Sequence, residues 1–192
     1  MKKVSLITMV LFVASFVPLN FAFSAGERTG EGRIEVGGDF YFTYGSYKAT
    51  STTAVAVTPR IGWFGVPHLA MEPKFLVLFQ NISPPGAGED SSITDYGLIL
   101  NTAYHFEWRA GSAVVPFIFA GIGFVNHSGD VGEADEPSMI LPDAGVGIKV
   151  FFTNSALLRA ELFYEHISNA YGEKDREVDG GGLRAGMSIF VK

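Results

Sequence analysis

The stretch "DAGVGIKVFFTNSALLRAELFYEHISNA", Asp143 to Ala170, holds two apolar runs joined by the short turn "TNS". In both runs polarity alternates with a period of two, the repeat of a strand whose faces meet different surroundings. Ala144, Val146, Ile148, Val150 and Phe152 share one face of the first run, opposite Asp143 and Lys149. In the second, Leu158, Ala160, Leu162 and Tyr164 oppose Arg159, Glu161 and Glu165. A soluble ligand-binding barrel turns its apolar face inward. Here the minority face carries charges of both signs, which suits pairing inside a narrow lumen. The apolar face then meets lipid.

The same pattern extends along the chain. Strand-like stretches at 31–44, 53–63, 68–81, 92–107, 113–125, 138–152, 156–170 and 180–191 are separated by turn chemistry, and none carries a helical period. "GSYKATST", "NISPPGAGEDSS", "NHSGDVGEADEP" and "YGEKDREVDG" read as long polar connections, alternating with the short "FGVP", "RAGS" and "TNS". Long outer loops and short periplasmic turns are the scheme of an outer-membrane barrel. The expected fold is an all-β, eight-stranded antiparallel transmembrane β-barrel over residues 25–192. Arg33, Arg60, Lys74, Lys149, Arg159 and Arg184 are expected to balance Glu35, Asp39, Glu72, Asp95, Asp143 and Glu161 within it. Tyr44, Trp63, Phe64, Tyr96, Phe106, Trp108, Phe124 and Phe152 are expected in its aromatic girdles. The fifth stretch, "VVPFIFAGIGF", is apolar on both parities, so its pattern assigns no faces.

Composition agrees. Lys2 and Lys3, the apolar run "VSLITMVLFVASFV", and Ala22 and Ser24 spaced for cleavage read as a signal peptide over residues 1–24. The remaining 168 residues carry 12 basic side chains against 20 acidic ones, net −8, which argues against a nucleic-acid partner. There is no cysteine, so thiolate chemistry and zinc–cysteine sites are excluded. Glycine (23), Phe (17) and Tyr (7) are abundant, as in barrels rather than helical bundles.

His166 and Ser168 stand out against this frame. They continue the lipid-facing register of the seventh strand, which climbs from "TNS" at the periplasmic side. At ~3.4 Å per residue and a tilt of ~40°, His166 lies roughly 25 Å up, at the top of the apolar band. Polar side chains are cheap there, so two rim residues wetted by headgroups are one reading. The other is chemical. A histidine two residues from a serine on one strand face can take the serine proton as its oxygen attacks a carbonyl. Glu173, Asp175, Glu177 and Asp179 follow as acids to orient the imidazole. Asp179 has the matching parity and Glu177 is its alternative. Asn169 offers an amide to an oxyanion, although its parity is inward.

"YEHISNA" resembles the motif of the outer-membrane lipid A 3-O-deacylases, the PagL family of acyloxyacyl hydrolases. "VPFIFAGIGF" and the Asp143–Ala170 run are similar to that family's segments leading into its catalytic strand, so the likeness covers roughly residues 114–190. The resemblance implies an esterase that hydrolyses the 3-position ester of lipid A in the outer leaflet. It assigns Ser168 as nucleophile, His166 as base and Asn169 to the oxyanion. The family's acid falls fourteen residues after the histidine, which here is Gly180, one beyond Asp179. Tyr171 stands where the family commonly has glycine.

The remaining features are blander. His68, His105 and His127 are scattered and form no metal-spaced cluster. "DVGEADE" lacks the ligand spacing of a calcium loop. "AGIGF" and "GGG" lie in strands, not before helices. The expected protein is thus an outer-membrane hydrolase acting on lipopolysaccharide, with no cofactor and no metal. The alternative is a non-catalytic barrel of the OmpX or OmpA type working in adhesion or envelope integrity through its outer loops.

Overall fold

A computed structural model describes residues 29–47, 50–83, 91–129, 138–168 and 177–191. The expected signal segment lies outside the described residues, as do the connections at 84–90, 130–137 and 169–176. Eight strands close into an antiparallel barrel in chain order. They are β1 (Ile34–Tyr47), β2 (Thr50–Val66), β3 (Leu69–Ser83), β4 (Ser91–His105), β5 (Val114–Gly129), β6 (Ser138–Phe151), β7 (Ala156–Ser168) and β8 (Glu177–Val191). Closure leaves no open sheet edge along most of the wall, the condition for a sheet in hydrocarbon.

Several connections are partly strand or longer than expected, and two are the most instructive. Most of "GSYKATST" is strand, because β1 reaches Tyr47 and β2 starts at Thr50. Its run of Ser and Thr suits a pleated ladder as well as a loop. "RAGS" is the tip of a longer connection, since β4 ends at His105. Glu107 is drawn out of the ladder. It accepts hydrogen bonds from the Thr29 amide (3.2 Å), the Thr29 hydroxyl (2.8 Å) and the Gly111 amide (3.0 Å). Thr29 is buried, so this segment covers the periplasmic mouth.

The lumen is filled with side chains, as an eight-stranded barrel requires. Arg159 grips Glu72 with both arms (2.8 and 2.7 Å) and also bonds Glu161. Lys149 meets Glu35 at 2.6 Å, and Arg60 meets Glu35 at 2.7 Å and Asp39 at 3.2 Å. Arg184 holds Asp143 at 3.1 Å and pairs with Glu165. The expected six-to-six balance is corrected at two places. Arg33 is only half-buried at the mouth, its guanidinium 4.3 Å from the Phe190 ring centre, whereas Glu165 is inside.

β5 supplies the apolar side of this lumen. Val115, Phe117, Phe119 and Val125 point inward, while Val114, Ile118, Ile122 and Phe124 are exposed. The inward rings carry cations on their faces: Arg159 lies 4.2 Å from the Phe117 centre and Lys74 lies 4.8 Å from that of Phe119. Gly145 and Gly147 of β6 make room, since a Cβ at either would strike one of these rings. Phe64 is corrected from girdle to lumen. Trp63 is exposed, so its neighbour must face inward, where it packs near Phe190 and His105.

Glu72 receives both arms of Arg159, so Glu72→Ala would strand a buried guanidinium. The expected cost is about 3–5 kcal/mol, seen as a lower urea midpoint for barrel unfolding in detergent. An unchanged midpoint would contradict this network.

Candidate active site

Burial along β7 alternates. Leu157, Arg159, Glu161, Phe163 and Glu165 are buried, and Leu158, Leu162 and Tyr164 are exposed. Ile167 packs against the inner apolar cluster, so His166 and Ser168 on either side of it face outward, each half-buried.

The acid is set by cross-strand register. β8 runs antiparallel to β7 and places Asp179 opposite His166, and Glu177 opposite Ser168. Directly opposed residues share a face and meet. His166 Nδ1 lies 3.0 Å from Asp179 Oδ1. Of the two acids weighed from the sequence, Asp179 is therefore the one facing His166. Gly180, where family spacing points, lies opposite Glu165 on the inward register. The side chain of Glu177 and the whole of Asn169 lie outside the described residues.

The carboxylate also selects a tautomer. With Asp179 accepting from Nδ1–H, Nε2 is left as the basic nitrogen. Ser168 stands two residues further up the same face, its Cβ about 7 Å from that of His166. Among the described residues no hydrogen bond joins the two side chains. Transfer of a serine proton to Nε2 would need both side chains to rotate toward each other.

Sequence reading missed Tyr164. Its hydroxyl donates to the same Asp179 Oδ1 at 2.6 Å. The carboxylate is 68% exposed, and the phenol pins it from below. The available signal was position: Tyr164 precedes His166 by two on the outward face, diagonal to Asp179. Only the register shows that the diagonal closes.

A β-bulge flanks the site. Relative to both neighbours β6 holds an extra residue between Ile140 and Asp143, so Leu141 and Pro142 together oppose His166 on β7 and Ile122 on β5. Proline, with no N–H to give, is tolerated at such a break. The bulge bends the wall beside the histidine. Below it the surface is continuous and apolar, with Leu162, Val146 and Leu183 exposed.

Among the described residues, no group of three or more His, Asp or Glu could hold an ion. His68 bonds the Thr29 hydroxyl at 2.9 Å, and His105 is buried and stacked on Phe117. His127 belongs to the upper end of β5, opposite Asp95, rather than to a loop.

No protein-family model and no curated protein matches the chain. Solved structures do resemble it. Outer membrane protein OprG from Pseudomonas aeruginosa aligns with 11% identity over 86% of this chain and 99% of its own, at a TM-score of 0.50. Neisserial surface protein A aligns with 19% identity over 83% and 99%, at 0.49. The N-terminal β-barrel domain of Pseudomonas aeruginosa OprF aligns with 14% identity over 84% and 99%, at 0.47. The likeness to OprG is one of fold: an eight-stranded outer-membrane barrel. With its apolar wall and charged lumen, the chain is a protein of the bacterial outer membrane.

Depth gives a test of this placement. Leu162→Arg, near the middle of the apolar band, is expected to cost about 2–4 kcal/mol of folding free energy in lipid, and Ser168→Arg only about 0–1. Equal costs in a vesicle-based unfolding titration would remove the site from the interface.

Proposed function

We propose that this protein is an outer-membrane esterase of the PagL type, removing the acyl chain ester-linked at the 3-O position of lipid A. The observation that carries the reading is the His166–Asp179 pair. It is hydrogen-bonded at 3.0 Å on the outer wall, with Ser168 next on the same face. A histidine hydrogen-bonded to a carboxylate above an apolar surface has little structural purpose there. It suits an ester whose acyl chains already lie along that surface.

In this mechanism Ser168 Oγ attacks the ester carbonyl while its proton passes to His166 Nε2. Asp179 stabilises the imidazolium through Nδ1–H, and Tyr164 holds Asp179. Asn169 donates to the tetrahedral oxyanion. The intermediate collapses by breaking the bond to the sugar oxygen, which takes the proton from His166. Water then attacks the acyl-serine, again with His166 as base. The products are a free fatty acid, Ser168 restored, and lipid A with a free 3-hydroxyl.

Purified protein in mixed micelles with lipopolysaccharide should release 3-hydroxy fatty acid and reduce the lipid A mass accordingly. Ser168→Ala and His166→Ala are each expected to lower the rate at least about a hundredfold. Asp179→Asn should cost less, because it acts through the histidine. If the wild type releases nothing, or Ser168→Ala releases as much, the reading fails and the non-catalytic barrel takes its place.

A further inference from the structure

The β1–β8 ladder stops halfway up the wall. It runs from Ile34–Val191 to Phe40–Ala185, while β1 continues along β2 to Tyr47 and β8 continues along β7 up to Glu177. Among the described residues, 41–47 and 177–184 are not paired with each other across this seam. Neither segment contains proline, so a missing donor is not the reason.

The glycines show that the strands have parted. A Cβ added at Gly186 would strike Gly38 and Asp39 of β1. Higher up, the three atoms nearest a Cβ at Gly181 are all β7 backbone, and one at Gly180 would meet nothing within 4 Å among the described residues. With Gly182, these glycines leave three successive positions of upper β8, between Asp179 and Leu183, without side chains. The opening is a cleft and not a hole. Behind it Arg184 lies 3.7 Å from the Phe163 ring centre and 5.6 Å from that of Tyr41, whose rings are themselves 5.3 Å apart.

The cleft adjoins the site, because Asp179 stands on its β8 rim. It begins about 16 Å above the lower strand ends, inside the upper half of a band ~25 Å tall. Hydrocarbon cannot satisfy an open strand edge at that depth. An edge presents amide donors and carbonyl acceptors in alternation, so its occupant must offer both. Glycerophospholipid esters are acceptors only. Amide-linked hydroxyacyl chains on an amino sugar carry N–H, O–H and C=O where the chains leave the headgroup.

We infer that the cleft between upper β1 and upper β8 docks the amide- and hydroxyl-bearing linkage region of an acylated amino-sugar lipid, holding the neighbouring ester beside His166. The choice of substrate class rests on the hydrolase reading; the cleft itself does not. Bare glycines let the ligand approach the backbone.

Amide hydrogen exchange tests this in the Ser168→Ala variant, which leaves substrate uncleaved, held in phosphatidylcholine nanodiscs at one barrel per disc. Seam-facing amides of 41–47 and 178–184 should exchange at least tenfold faster than those of 34–40 and 185–191. Adding lipopolysaccharide should slow them at least tenfold. Gly180→Val, whose side chain enters space left open at the β8 rim, should abolish that slowing while the lower ladder stays protected. Full protection in phosphatidylcholine alone would mean a closed seam and overturn the inference. Rapid exchange unmoved by lipopolysaccharide would overturn the choice of ligand. Protection that instead requires two barrels per disc would assign the edge to a second copy of the chain. A wild type that releases no fatty acid sinks the hydrolase reading and leaves these exchange results standing.

Discussion

Hydrocarbon forms no hydrogen bonds, and the rest of this structure depends on that constraint. It forces the strands to close, so that each neighbour supplies the backbone partners lipid cannot. It also expels charge from the outer face. The ionic residues of seven strands therefore crowd the lumen, where pairing offsets their burial. Arg159 on Glu72 and Arg184 on Asp143 are consequences of the same exclusion. Replacing such a network by apolar residues can be neutral in energy. Its value here lies in register, since a one-residue slip would turn every charge toward lipid.

Register also builds the candidate site. His166 and Ser168 come from one strand and Asp179 from the next, and the hairpin pairing brings them to one spot on the wall. Among the described residues, the arrangement lies on the open outer wall. Its apolar contacts are the exposed side chains below it, and its polar contacts are the bulge on one flank and the open seam on the other. A site of this shape suits a substrate that is itself part of the membrane. Tyr164 completes the polar cluster by fixing an aspartate that solvent would otherwise leave mobile.

Much of the barrel was legible because period-two alternation is a local property. β6 and β7 show it so cleanly that orientation and depth follow from residue names. Where local pattern is silent, the reading stops. β5 is apolar on both parities, and its inward face is chosen by cations on β3 and β7 that need aromatic partners. Phe64 looks like a girdle residue by its place near a strand end, but the pleat turns it inward once Trp63 faces out. Glu107 leaves its ladder for Thr29, a contact between residues far apart in the chain. The His–Ser spacing was legible in the same local way. Parity also pointed to Asp179, with Glu177 as its alternative, but only strand pairing shows which of the two stands across from the histidine.

The sequence by itself determined the class of fold, the lipid-facing wall, the charged lumen and the outward, upper position of His166 and Ser168. All of these follow from alternation and from the order of strands. Tertiary structure alone decided that Asp179 rather than Glu177 faces His166, that Tyr164 shares its carboxylate, and that β6 bulges alongside. It alone decided that β1 and β8 part above Phe40 and Ala185. These are matters of pairing between strands, and pairing is settled by closure of the whole barrel.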